Sequence, residues 1–98
     1  MSFQCISVDE AKKLIDENNL TIIDIRDYNS FSQGHIDNAI HVEDLNIDSF
    51  INNKNKSEAI LIYCYHGNSS KSAANFFAQN GFDKVFSMDE GYSGWIKN

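Results

Sequence analysis

Cys64 ends an uninterrupted apolar run, Ala59 to Tyr63, and is followed by Tyr65-His66-Gly67-Asn68-Ser69-Ser70 before a stretch with helical spacing. In open parallel α/β sheets, ligand sites collect beyond the carboxyl ends of the strands, where this thiol falls. Gly67 and Asn68 tolerate turned or left-handed backbone, so the loop can curl around the sulfur with its N–H groups inward. The helix that follows adds unsatisfied amides and the positive end of its dipole. Such a cradle lowers a thiol pKa and favours the thiolate, the nucleophilic form. It also suits a larger anion attached to that sulfur. The competing reading, a small buried hydrophobe at a strand end, is the usual one for a cysteine. The Gly-Asn-Ser-Ser loop and the helix behind it favour chemistry instead.

Two chemistries use a cradled thiolate. Phosphate-ester hydrolysis, like arsenate reduction, places Cys, then five residues, then an arginine clamp. Counting from Cys64, the sixth residue is Ser70, and the only arginine in the chain is Arg26. Lys71 comes one place late and offers a point charge in place of a bidentate fork. Sulfur transfer needs no such cation. A thiolate attacks the outer, sulfane sulfur of a donor such as thiosulfate, sulfite leaves, and the enzyme keeps a persulfide whose terminal anion the loop amides stabilise. Cyanide or a thiol then collects that sulfur, in ping-pong covalent catalysis. Neither route calls for a cofactor. The two cysteines, Cys5 and Cys64, match no metal pattern, and a reducing compartment disfavours their pairing.

These groups must be positioned by a small scaffold. Ninety-eight residues make one domain, residues 1–98, and 42% hydrophobic content with seven Phe, four Tyr and one Trp marks a folded chain. A net charge of −6 excludes a nucleic-acid or anionic-membrane surface. No segment approaches the roughly 20 apolar residues of a membrane span, and the N-terminus lacks a secretion-signal layout, which places the chain in the cytoplasm.

Along the chain, strand and helix alternate. Ser7-Val8-Asp9-Glu10 has the form of a capping box ahead of a helix to about Asn18, with Val8, Ala11, Leu14 and Ile15 on one face. Leu20 to Ile25 reads as a buried strand. Asp27 caps a short helix that Gly34 ends, Ala39 to Val42 is a weaker strand, and Leu45 to Asn53 has helical spacing. Ala59 to Tyr63 is the clearest strand. Ser70 to Asn80 is a helix with Ala73, Ala74, Phe76 and Phe77 on its core side and Gly81 as a left-handed stop. Lys84 to Met88 is another strand, and Gly91 to Lys97 a last helical turn or two. Continuous apolar strands alternating with helices predict an α/β fold with parallel pairing.

Four stretches together resemble the rhodanese domain family in its single-domain thiosulfate sulfurtransferase form. They are Asp24-Ile25-Arg26-Asp27; Phe31-Ser32-Gln33-Gly34-His35-Ile36 with Ala39; Cys64-Tyr65-His66-Gly67-Asn68-Ser69-Ser70; and Gly91-Tyr92 with Trp95. The resemblance implies a three-layer α/β/α domain on a five-stranded, mainly parallel sheet, with Cys64 as the persulfide-forming nucleophile. It also implies that the backbone amides of the six-residue loop, Cys64 to Ser69, hold the bound sulfur. The implied partners are thiosulfate or another sulfane-sulfur donor, and cyanide or a thiol or dithiol acceptor such as a thioredoxin-like protein. Two positions depart from the family pattern. Tyr65 stands where many members carry a basic residue, and Glu90-Gly91 stands where Gly-Gly is usual. A non-catalytic rhodanese-like binding or relay module is the alternative, and its mark is loss of the nucleophile.

The remaining residues have ordinary readings. His66 is either a cation facing the thiolate or a solvated loop side chain. Asp24 and Arg26 read as an ion pair or capping contacts, with direct anion binding by Arg26 the lesser reading. His35 reads as a hydrogen-bonding loop anchor, Trp95, Phe76 and Phe77 as core or rim packing, and Cys5 as buried filler.

Overall fold

A computed structural model describes residues 2–17 and 20–97. Its elements run β1 (Gln4–Ile6), α1 (Val8–Glu17), β2 (Leu20–Asp24), α2 (Tyr28–Gln33), β3 (Ile40–His41), α3 (Ile47–Asn53), β4 (Ala59–Tyr63), α4 (Ser69–Gln79), β5 (Lys84–Met88) and α5 (Gly91–Trp95). The five strands form one sheet in the order β1-β5-β4-β2-β3. Every pairing is parallel.

The period-2 alternation of the strands divides the apolar residues into two cores. On one face Ile22, Leu61, Tyr63 and Met88 pack with Val8 and Ala11 of α1, and with Tyr92 and Trp95 of α5. On the other, Ile23, Ile60, Ile62 and Val85 pack with Ala74, Phe77 and Ala78 of α4, and with Phe50 and Ile51 of α3. Helices therefore cover both faces, the three-layer α/β/α arrangement expected. β4, buried throughout, is its central strand.

Local signals behave as their chemistry requires. The capping box closes in both directions, with the Glu10 amide donating to Ser7 Oγ at 3.1 Å and the Ser7 amide to Glu10 Oε1 at 3.0 Å. The expected end of α1 at Asn18 lies outside the described residues. Asp27 caps α2 by accepting from the Ser30 amide at 3.0 Å, and Gly81 follows α4 at φ +100°.

Four expectations are corrected. β1 was absent from the residue pattern because only Ile6 of its three residues is buried, and pairing with β5 supplies its order. The weak strand shortens to Ile40–His41, since Val42–Asp44 turns as a 3-10 helix capped by the His41 ring. α3 starts at Ile47, where the Asn46 side chain accepts from the Ser49 amide. Phe76 is 43% exposed, because the buried stripe of α4 is Ser70, Ala74, Phe77 and Ala78, and a residue at position 76 falls beside it.

Candidate active site

Chain connections diverge between β2 and β4: β2 leads outward to β3, and β4 to β5 on the other side. The crevice beyond their carboxyl ends is the topological switch point of the sheet. A cleft of about 380 Å³ lies there, lined by Ile25, Arg26 and Asp27 after β2 and by Cys64, Tyr65, His66, Asn68 and Ser69 after β4.

At the floor of this cleft the loop turns about the sulfur. The Gly67 amide donates to Cys64 Sγ at 3.2 Å and the Ser70 amide at 3.3 Å. Gly67 sits at φ +94°, and a Cβ there would lie 3.0 Å from the Glu90 nitrogen, so both conformation and space require glycine. Asn68, flanking the start of α4, makes no side-chain capping bond. The Ser70 amide belongs to the first turn and has no acceptor within the helix, so the sulfur serves as the cap.

The loop carbonyls point elsewhere. Tyr92 and Ser93, at the start of α5, donate their amides to the carbonyls of Cys64 at 2.7 Å and Tyr65 at 3.0 Å. A Cβ on Gly91 would stand 2.3 Å from the Cys64 carbonyl oxygen, so this close approach admits only glycine. Glu90 adopts the left-handed region at φ +65°.

Burial pushes the Cys64 thiol pKa up, but hydrogen bonds from the Ser70 hydroxyl and from the amides of Ser70, Gly67 and His66 outweigh it, leaving the thiol below its ordinary value. Cys64 is 6% exposed and lines the cleft. The arrangement thus favours the ionised form of a sulfur that lines the cleft.

The other expected residues take distinct places. Tyr65 forms the rim, its hydroxyl reaching Asp27 Oδ1 at 3.4 Å and Ser30 Oγ. Arg26 lines the cleft, yet its guanidinium is committed: Nη2 lies 2.7 Å from Asp24 Oδ2 and donates to the Gly34 carbonyl at 2.7 Å, while the ring of Tyr92 covers it at 4.1 Å. Asp24 and Arg26 thus form an ion pair beside the cleft. His66 is exposed, with Nδ1 at 3.1 Å from Ser93 Oγ. Lys71 is exposed and absent from the cleft lining. His35 anchors its loop through the Phe31 carbonyl at 2.8 Å. Cys5 is exposed on edge strand β1, contrary to the buried filler expected, since the sheet leaves that position uncovered.

Sequence reasoning passed over two buried groups beside the site. His41 takes the Glu43 amide on Nδ1 and so donates through Nε2 to the Arg26 carbonyl. Ser87, on β5, lies 2.7 Å from Ser70 Oγ. A lone serine between apolar neighbours in a strand is the only sequence signal either offers.

The rhodanese-like domain model matches residues 7–98 of the chain. Thiosulfate sulfurtransferase GlpE of Shewanella oneidensis is 39% identical over 94 residues, which cover 96% of this chain and 93% of that protein. The solution structure of a rhodanese-like domain from Anabaena sp. superposes with a TM-score of 0.80 at 28% identity, covering 99% of this chain and 75% of that one. The crystal structure of a rhodanese-like domain protein from Staphylococcus aureus superposes with a TM-score of 0.74 at 26% identity, covering 95% and 91%.

Proposed function

The chain belongs to the rhodanese-like domain family, and on that footing we propose that it is a thiosulfate sulfurtransferase with Cys64 as its nucleophile. The observation that supports this role is the convergence of the Gly67 and Ser70 amides and the Ser70 hydroxyl on a sulfur at the floor of a cleft. Cys64 attacks the sulfane sulfur of thiosulfate, forming one S–S bond as the donor's own S–S bond breaks, and sulfite leaves with the electron pair. The terminal sulfur of the persulfide is anionic, and main-chain dipoles suit it without a free cation. An acceptor then attacks that terminal sulfur and the Cys64 thiolate departs, ready for another cycle. The acceptor is cyanide in an assay and a thiol or dithiol, such as that of a thioredoxin-like protein, in the cell.

The loop supplies no arginine where a phosphatase needs one, since Ser70 occupies that position and Arg26 is bound to Asp24. Nucleophile and cleft are both present, which favours an enzyme over a non-catalytic module. Among the described residues no helix is long and apolar enough to cross a membrane, and we take residues 1–98 as a single domain acting in the cytoplasm. Steady-state thiocyanate formation from thiosulfate and cyanide tests the reading. Wild type should turn over, Cys64→Ser should not, and neither should hydrolyse an aryl phosphate. A folded, reduced wild type without thiocyanate production would refute it.

A further inference from the structure

Ser87 occupies a strand whose buried neighbours Val85 and Met88 are apolar, and it is itself fully buried. A buried hydroxyl requires a partner, and its partner is Ser70 Oγ at 2.7 Å, itself fully buried and 3.5 Å from Cys64 Sγ. Three atoms thus form a chain of contacts, Ser87 Oγ to Ser70 Oγ to Cys64 Sγ, whose two serines are shut off from solvent. We propose that Ser87 is a positioning residue for Cys64, orienting the Ser70 hydroxyl so that its hydrogen is donated to the sulfur.

Each serine hydroxyl carries one hydrogen. If Ser87 donates to Ser70 and Ser70 donates to sulfur, both hydrogens have acceptors, and the chain ends on an atom that must accept. If the thiol S–H donates to Ser70 instead, the line reverses: Ser70 donates to Ser87, and the Ser87 hydrogen is left in the core without an acceptor. Among the described residues Ser87 Oγ has no other hydrogen-bond partner. A neutral thiol can also accept, with its own hydrogen turned into the cleft, so what Ser87 adds is polarisation: its donation strengthens the bond from the Ser70 hydroxyl to the sulfur, and an anionic thiolate or persulfide gains most from that. Charged and titratable groups around the sulfur are Arg26 and Asp27 after β2, Tyr65 and His66 on the loop, and Asp89 and Glu90 behind Gly67. Neither serine hydroxyl bonds to any of them among the described residues.

The inference concerns the site assigned above to sulfur transfer and rests on that assignment for its biological meaning; its test reads the thiol directly. The rate of Cys64 alkylation by iodoacetamide is followed against pH in a Cys5→Ser background, which removes the exposed second thiol. Ser87→Ala should raise the midpoint by about half a unit, a roughly threefold loss of thiolate below it. Ser70→Ala should raise it by about one unit, in line with a lost hydrogen bond to a charged group. The double variant should move no further than Ser70→Ala alone, because Ser87 acts only through Ser70. Ser87→Thr, which keeps the hydroxyl, should retain the parental midpoint. An unchanged midpoint in Ser87→Ala, or a double variant shifted by the sum of the singles, overturns the proposal. Midpoints that move as stated in a protein that never takes sulfur from thiosulfate would support this role for Ser87 and refute the sulfurtransferase function.

Discussion

The Tyr92 amide donates to the carbonyl oxygen of Cys64 at 2.7 Å, so the first turn of α5 holds the back of the residue whose sulfur faces the cleft. That contact turns the Cys64 carbonyl away and leaves the inward side of the loop to N–H groups. Gly91→Ala tests it. The added Cβ would meet backbone at 2.3 Å with φ at +56°, and backbone cannot move aside as a flexible side chain can. A loss of at least about 3 kcal/mol in urea unfolding, with loss of turnover, is expected from a clash on that scale. Wild-type stability and activity in this variant would show that the α5 contact is dispensable.

Glu90 is strained in the opposite sense. It holds a left-handed conformation at φ +65° that costs an L-residue about 1 kcal/mol relative to glycine. Glu90→Gly should therefore raise the unfolding free energy by about that amount. An unfolding midpoint that falls would mean that the Glu90 side chain makes contacts outweighing the strain.

The Asp24–Arg26 pair is buried, with side chains 0% and 2% exposed. Removing one partner leaves the other charged in the interior, which typically costs 3–5 kcal/mol, as an order of magnitude. Arg26→Ala should lose about 3 kcal/mol or more in denaturant unfolding. Should the variant instead unfold like wild type while thiosulfate binding collapses, Arg26 would be a substrate ligand and its pairing with Asp24 incidental.

Why some of this was legible beforehand and some was not follows from the range of the forces involved. β4 announces itself through five consecutive apolar residues, and the loop through Gly67, whose left-handed backbone other residue types resist. The caps at Ser7 and Asp27 are contacts three residues long and readable as such, whereas the equally local cap at Asn46 was passed over because Leu45 fitted the apolar spacing. β1 is different: three residues with one buried side chain carry almost no pattern, and its order comes from β5, some eighty residues away in sequence. Ser87 and His41 are equally silent, because each acquires its role from a partner on another element, Ser70 and Arg26. Phe76 misled because the buried stripe of α4 is centred on Ala74, Phe77 and Ala78, which leaves position 76 at its edge and 43% exposed.

The lowered Cys64 pKa ties acidity to stability. Its folded-state value lies below the ordinary thiol value of 9.0, so the thiolate form stabilises the fold fully above that ordinary value, and the contribution fades as pH falls through the folded value. Thermal unfolding of wild type and Cys64→Ser across this window should therefore show the wild-type advantage growing as pH rises towards 9.0. A constant or shrinking advantage would mean that the amides of Gly67 and Ser70 do not favour the anion.

Intact-mass measurement of the reduced protein after incubation with thiosulfate tests most directly whether Cys64 receives sulfur. One added sulfur atom, absent in Cys64→Ser, retained in Cys5→Ser and discharged by cyanide as one equivalent of thiocyanate, is the result expected. An unmodified mass in folded, reduced protein, or an adduct that persists in Cys64→Ser, would contradict it.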